Sequence, residues 1–351
     1  MTSTLVRPVP VVSTRPAAHV RLAPRAWLAL HGRYGHAPAT FATLTEGVRA
    51  LTLPGVPGAL PYTPVGRVWL AAGDPLAPPA CWGEFARAFL SAARAAHVTP
   101  ALAGGSAAFA QAAVREGWRA VRFGATPYLD ARTWSPRGHA GRTLRNNLNR
   151  ARRAGVEVSA VPCPDAPTWA EIDALSAAWL SARSGGRALG WVLALTPRQH
   201  ASHRRFFVAR RSDGPLLAFL ACSPLPAREG WYLEDVVRAP DAPGGTAALL
   251  VHDAILALRE AGARTVTLGC APLADVALPD ETFARALHLE RAARQLGPLL
   301  AHAYNCGGLR RFKAQFAGAR WEGEYVLLAP GLLSTAATLP ALARALWGRR
   351  L

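Results

Sequence analysis

Lysine is almost missing from this chain. Of its 40 Lys and Arg residues, 39 are arginine and one is Lys313. Asparagine occurs four times, at Asn146, Asn147, Asn149 and Asn305, and methionine once. Arginine, alanine, glycine and proline are abundant, as G+C-rich codons dictate. That bias explains the scarcity but not the clustering. Three asparagines sit in RTLRNNLNRARRAG, and the fourth lies eight residues before Lys313. These are two stretches where side-chain chemistry holds against compositional drift; helix and turn capping is the plainer alternative.

Other absences exclude whole classes. Cys81, Cys163, Cys222, Cys270 and Cys306 are isolated and odd in number, with no C-x-x-C pair. A disulfide framework or a zinc site is not expected, and free thiols suit a reducing cytosol. The first residues lack the apolar block of a signal peptide, so none is expected. No segment offers ~20 uninterrupted apolar residues, the length of a membrane span. The nearest, YVLLAPGLLSTAATLPALARALW, is broken by Pro330, Gly331, Pro340 and Arg344, and reads as a last strand followed by an amphipathic helix. G-x-S-x-G, H-E-x-x-H and the P-loop are all missing, so no metal and no cofactor are expected. Acids are few as well. With 22 against 40 bases, the formal net charge is +18. Such a field favours a polyanion, either nucleic acid or an anionic membrane surface, although a generic arginine-rich surface would carry the same charge.

What is present reads as α/β. The 351 residues are 51% hydrophobic, ample for one large domain or two smaller ones. We expect a loose basic tail over 1–24 and a first unit over 25–137. In that unit RAWLALHGRYGH is helical, FATL and VRALTL are strands, and a Gly/Pro-rich loop follows. GRVWLAAG, VTPALAG and WRAVRFGATPYLD then read as strands between helical stretches. Residues 138–154 form a linker helix with Arg142, Arg145, Asn149 and Arg153 on one face and no acid at all. A polyanion would explain that face; so would a solvated linker. A second unit spans 155–330: a strand, a helix, a three-strand meander, a loop entering a helix, a strand, two helices and a final strand. Residues 331–351 form a C-terminal amphipathic segment. Meander, helix, strand, helix, strand is the order of an acetyltransferase-like domain, so the architecture expected is two such domains in tandem, joined by the basic helix.

Five stretches in sequence order add a family likeness. LRNNLNRARRAG, LSAAWLSARSGGRALGW, LEDVVRAPDAPGGT, TLGCAPLADV and YNCGGLRRFKAQFAGARWEGEYVLL together resemble the catalytic domain of the phosphatidylglycerol lysyltransferases, the multiple peptide resistance factor family. The likeness runs from about residue 140 to 330 and is weaker upstream. It implies transfer of an amino acid from aminoacyl-tRNA to a lipid hydroxyl, that of phosphatidylglycerol above all. It also implies contact with an anionic phospholipid. We expect a free-standing version, cytoplasmic and peripheral on the inner face of the plasma membrane.

Carried over by position, the resemblance implies catalytic roles for Asp235 and Arg238 of EDVVR, for Glu290, and for Lys313 of GGLRRFK. Asn305, Gly308 and Arg310 would touch substrate, and Arg142, Arg145, Asn149 and Arg153 would meet tRNA. The chain departs from the family at Gln315 and Ala188, and at Glu324, where a basic residue is usual. These departures bear on which amino acid and which lipid are used.

The residue chemistry fits such roles. A strand-end carboxylate at Asp235 could hold an ammonium or accept a hydroxyl proton, or could partner Arg238; in an extended strand those two side chains face opposite ways. Arg238 could fork onto phosphate, and Glu290 could form a surface ion pair with Arg291 and Arg294. Lysine is a compact charge with an adjustable pKa, suited to a phosphate or oxyanion where a guanidinium plane would not fit. The APDAPGGT loop stands where acetyl-CoA enzymes cradle phosphate, but Pro243 breaks the glycine pattern. Two alternatives stay open: an acyl-CoA-dependent N-acyltransferase of the same fold, and a non-catalytic RNA- or membrane-binding protein.

Overall fold

The structure is a computed structural model that describes residues 17–45, 48–182, 190–191, 194–212, 214–274, 278, 282–295 and 306–347. In the first stretch of chain, β1 (Ala18–Val20), α1 (Pro24–Tyr34) and α2 (Pro38–Ala42) lead into β2 (Arg49–Leu53), β3 (Val56–Val65) and β4 (Val68–Ala72). Then follow α3 (Trp82–Ala95), β5 (Thr99–Ser106), α4 (Ala107–Arg115) and β6 (Arg119–Asp130). The basic helix is α5 (Arg142–Arg153). Beyond it come β7 (Val156–Val161), α6 (Ala166–Ala182), β8 (Arg205–Arg211), β9 (Ala218–Leu225) and β10 (Gly230–Arg238). The chain then runs through α7 (Thr246–Glu260), β11 (Thr265–Thr267), β12 (Ala271–Pro272), α8 (Leu287–Gln295), α9 (Cys306–Ala314), β13 (Arg320–Leu328) and α10 (Leu332–Trp347).

The two halves repeat one plan. An antiparallel meander (β2–β3–β4, then β8–β9–β10) is followed by a helix (α3, then α7) that returns the chain to a parallel neighbour, β5 beside β4 and β11 beside β10. These are two acetyltransferase-like units. Their strands join in one mixed sheet, ordered β1-β2-β3-β4-β5-β13-β6-β11-β10-β9-β8-β7, with β12 also on β6. The last strand thus crosses back and sits between β5 and β6, with α8 packed against β6.

Helices cover both faces, which is why strands such as VWLAA of β4 are buried along their whole length rather than alternating. α3 turns Trp82, Phe85, Phe89 and Ala93 onto Tyr62, Trp69 and Trp118, while α10 lays Ala341 against Val68, Leu70 and Ala101 on the other side. In the second unit α7 packs on the sheet and against α5, which also touches β7 and whose inner face is Leu144, Leu148 and Ala151. α6 covers the opposite face through Ile172 and Leu175.

Several local expectations are corrected. FATL is not a strand: Phe41 and Ala42 end α2 and Thr43 caps it, because Pro38 at the first helical position starts a turn there. The Gly/Pro-rich stretch taken for a loop is β3, ten residues long, paired on both edges despite three prolines. The tail expected over 1–24 gives way at Ala18–Val20, which pairs with β2. TVTLGCAPL is interrupted after Thr267, and that interruption creates the site.

Candidate functional site

β10 and β11 run parallel, but their pairing stops at Tyr232↔Thr267. β10 continues on β9 as far as Arg238↔Ala218, while the chain after β11 bends toward β6, where β12 pairs with Ala125 and Gly124. The bend is built at Gly269, whose φ is +70 and where a Cβ would lie 2.4 Å from the Tyr232 ring. Thr267 Oγ1 donates to Pro127 O and accepts from Gly269 N. Two parallel strands diverging at their C-terminal ends leave a gap edged by backbone without strand partners, a place where α/β folds receive ligands.

One wall of that gap carries Asp235. The ladder to β9 slips between Leu233 and Asp235, leaving Glu234 as the bulged residue. Asp235 is partly buried; its Oδ2 is sealed from solvent and has no hydrogen-bond partner among the described residues. Burial first, and the neighbouring Glu234 second, push its carboxyl well above the usual range, against a smaller pull from Arg204. Asp235 and Arg238 make no ion pair among the described residues, in line with their spacing.

The other wall carries Lys313. It projects from α9 and is only 6% exposed, its Nζ donating to Gly269 O at 2.8 Å and Cys270 O at 2.5 Å. Burial pulls the ammonium down to about 8, opposed by Cys270 and Glu324. Glu324, on β13, accepts from Thr126 Oγ1 at 2.6 Å and from the Cys270 thiol, and burial pushes its carboxyl up. The lone lysine therefore pins the bend between β11 and β12 rather than facing solvent. A cleft opens beside Glu324, lined by His36, Pro38, Ser106, Thr126, Tyr128 and Glu322. Asp74 accepts from Ser106 N and contacts His36 Nδ1, and Arg228 bridges to Glu322 across the Tyr128 ring. Glu322 and Glu324 are thus the two carboxyls that line the cleft, the first of them paired with Arg228.

The remaining residues named from sequence are placed differently. Arg238 is exposed, and its Nη1 donates to the carbonyls of Ala239, Pro240 and Ala242, so it closes the turn after β10. Glu290 is not at the surface, where a solvated ion pair would place it. It is buried, accepts from Arg122 N at 2.9 Å and lies 3.7 Å from Arg285, so it braces β6 beside its irregularity with β13. Gly308 and Arg310 stand in α9, which begins at Cys306 rather than after the glycine pair. Asn305 and Ala188 lie outside the described residues.

On α5, Arg142, Asn149 and Arg153 are exposed, but Arg145 Nη1 donates to Pro136 O and Gly138 O and anchors the entering loop. Arg152 reaches Asp253 of α7, and Asn147 Nδ2 donates to Gln315. α5 also covers the N-terminal end of α7. A Cβ on Gly244 would lie 2.7 Å from the Arg150 guanidinium carbon, and one on Gly245, with φ +95, 2.1 Å from Asn147 O. The glycine loop thus packs against the chain's own helix, where an acetyl-CoA enzyme would hold phosphate. Gly245→Ala is expected to destabilise the fold by about 1–3 kcal/mol, from the left-handed backbone and the forced retreat of α5, measured by denaturant unfolding.

Sequence reading passed over Arg204, Glu234 and Thr126. Glu234 was visible as a second carboxylate beside Asp235; nothing marked Arg204 among the other arginines.

The model of the family described as phosphatidylglycerol lysyltransferase, C-terminal, matches residues 28–328. The lysylphosphatidylglycerol biosynthesis bifunctional protein LysX of Mycolicibacterium gilvum is 28% identical over 217 residues, 61% of this chain and 19% of that protein. The phosphatidylglycerol lysyltransferase of Bacillus subtilis is 26% identical over 213 residues, 60% of this chain and 24% of that protein. The chain thus spans less than a quarter of the length of these relatives. In fold, it resembles L-PGS from Bacillus licheniformis with a TM-score of 0.77 at 20% identity, covering 93% of this chain and 97% of that one. The C-terminal DUF2156 domain of an Agrobacterium fabrum protein gives 0.76 at 24% identity, covering 93% and 99%. The chain belongs to the phosphatidylglycerol lysyltransferase C-terminal family.

Proposed function

We propose that this chain transfers an aminoacyl group from aminoacyl-tRNA to a hydroxyl of an anionic phospholipid, phosphatidylglycerol first among them. The observation that carries this reading is Asp235: a carboxyl with one oxygen sealed and without a hydrogen-bond partner among the described residues, at the mouth of the β10–β11 gap. An aminoacyl ester is already activated, so transfer needs alignment, a proton acceptor and stabilisation of the oxyanion. Alignment alone can supply ~7–11 kcal/mol in the best cases. The lipid hydroxyl oxygen attacks the ester carbonyl carbon and its proton passes to Asp235. The C–O bond to the tRNA ribose breaks as the intermediate collapses, and Asp235 returns the proton to that ribose oxygen. The Glu324 carboxyl lining that cleft suits the ammonium that an aminoacyl group carries.

Partner contacts follow from the surfaces. The exposed Arg142 and Arg153 of an acid-free helix suit tRNA phosphates. On α10, Leu333 and Leu339 are among the large apolar side chains left exposed, which suits peripheral contact with a bilayer. No helix among the described residues is long and apolar enough to cross a membrane. Against the acyl-CoA alternative stands the covered N-terminus of α7.

The deciding experiment incubates the purified chain with charged tRNAs and phosphatidylglycerol vesicles and analyses the lipids by mass. An aminoacyl adduct that requires charged tRNA is expected. No adduct with any charged tRNA defeats the proposal, and tight binding of coenzyme A would favour the alternative. Arg142→Gln combined with Arg153→Gln should weaken tRNA binding and lower the slope of log affinity against log salt by about 1–2, read from filter binding at several salt concentrations.

A further inference from the structure

Two sealed polar atoms lack a hydrogen-bond partner among the described residues, Arg204 Nη2 and Asp235 Oδ2, and the charge of Arg204 acts on the Asp235 carboxyl. Buried donors and acceptors are rarely left unmatched, because each costs its full desolvation, so such atoms call for an explanation. Arg204 lies just before β8, and its side chain is 0% exposed. Its Nε donates to Gln199 O at 2.9 Å, and its Nη1 donates to Ser223 Oγ at 3.0 Å and to Glu234 Oε2 at 2.5 Å. The Ser223 hydroxyl donates to the same Glu234 oxygen. The Phe41 ring covers the guanidinium at 5.0 Å. Arg204 is thus held from the backbone, from β9, from the β10 bulge and from α2.

The bulge decides which carboxylate this cation meets. In a regular strand Glu234 and Asp235 would face opposite sides of the sheet. The extra residue re-aims the pair, so Glu234 takes the ion pair while Asp235, next along the chain, stays within the field of both charges. Two adjacent buried carboxylates cannot both be ionised cheaply; the one without a cation keeps its proton longer. Resting on the transfer reading above, we propose that Arg204 and Glu234 are positioning residues for Asp235, an ion pair locked on the β10 bulge that aims its carboxyl and sets how readily it exchanges a proton.

The surroundings leave that pair in control. Glu234 and Arg204 are the charged groups that act on Asp235. Across the ladder, Cys222 is a buried thiol pushed well above its usual range and therefore neutral. Beyond the Phe41 ring lie His31 and His200; burial first, then His203 and His200, pull His31 down to about 4, so it is neutral at working pH. α6 and α7 also pack on β10, but Glu171 and Asp173 pair with Arg210 and Arg198, and Asp253 pairs with Arg152 and His252.

The test reads Asp235 directly. Carboxyl carbon signals of 13C-aspartate-labelled protein are followed against pH, with Asp235 assigned by its loss in Asp235→Asn. Glu234→Gln keeps the shape and removes a negative neighbour, so the Asp235 midpoint should fall by about 1–3 pH units. Arg204→Gln removes the cation, so the midpoint should rise; Arg204→Lys should restore much of it. In the transfer assay the acid limb of kcat/KM should move the same way, to lower pH in Glu234→Gln and to higher pH in Arg204→Gln. If Arg204→Gln does not fold, Glu234→Gln decides alone. An unmoved Asp235 midpoint in Glu234→Gln overturns the proposal. Midpoints that move as stated in a protein that transfers nothing would uphold the coupling and defeat the transfer reading instead.

Discussion

Asp235→Asn is expected to lower kcat for aminoacyl transfer by about 10²–10⁴-fold, the usual contribution of a positioned proton acceptor. Asparagine keeps the shape, but it accepts no proton. The fold should hold, since the amide takes the volume of the carboxyl and leaves the sealed position no worse matched than before. Binding of tRNA through α5 should be unchanged, because the substitution leaves the exposed Arg142 and Arg153 of that helix in place. The measurement pairs single-turnover transfer with filter binding and thermal unfolding. Full activity in the variant would exclude Asp235 as the base. Loss of activity together with loss of folding would assign it a structural role.

The second large effect belongs to Lys313. Lys313→Met leaves the carbonyls of Gly269 and Cys270 without their shared donor, at about 1–3 kcal/mol for each buried group left unsatisfied, lessened by the desolvation that methionine avoids. The bend that opens the gap should loosen, and transfer should fall with it. Lys313→Arg keeps the charge but brings a planar fork into a space shaped for one nitrogen, and it should not restore activity. The pH dependence is distinctive. Below about pH 8 the ammonium is charged both folded and unfolded, and its burial penalty is fully present. Between about 8 and the ordinary lysine value of 10.5 the folded protein sheds the proton first. This group's contribution to stability therefore rises with pH across that window and levels off above it. Urea unfolding of wild type and Lys313→Met from pH 7 to 10 isolates it as a growing difference in favour of wild type. A difference flat in pH would show that Lys313 is not buried as an ammonium.

Much of the fold was legible because it rests on periodicity. Apolar residues three and four apart marked α3 and α7, and short apolar runs between turns marked β4 and the β8–β10 meander. Where the reading failed, a local signal was outweighed by tertiary pairing. Three prolines disguised β3, yet strands on both edges hold it extended. The site was legible one residue at a time. The Asp-x-x-Arg and Gly-Leu-Arg-x-Phe-Lys patterns pointed to Asp235, Arg238 and Lys313, but pattern does not tell a residue that meets substrate from one that braces the chain. Arg238 and Arg145 are tied to backbone carbonyls, and Glu290 to the amide of Arg122, contacts that no spacing rule foretells.

By itself, the sequence determined the class, the two-unit plan, the acid-free helix and the family. These depend on composition, on periods of two and 3.6 residues, and on short motifs in order. Only the tertiary structure decided where the chemistry sits. The parting of β10 from β11, the bulge that turns Glu234 onto Arg204, and the bend held by Lys313 each join residues far apart in the chain. Their physical origin is the demand that every buried polar group find a partner in three dimensions. That demand is met at Lys313, Glu290 and Glu324, and left open at Asp235.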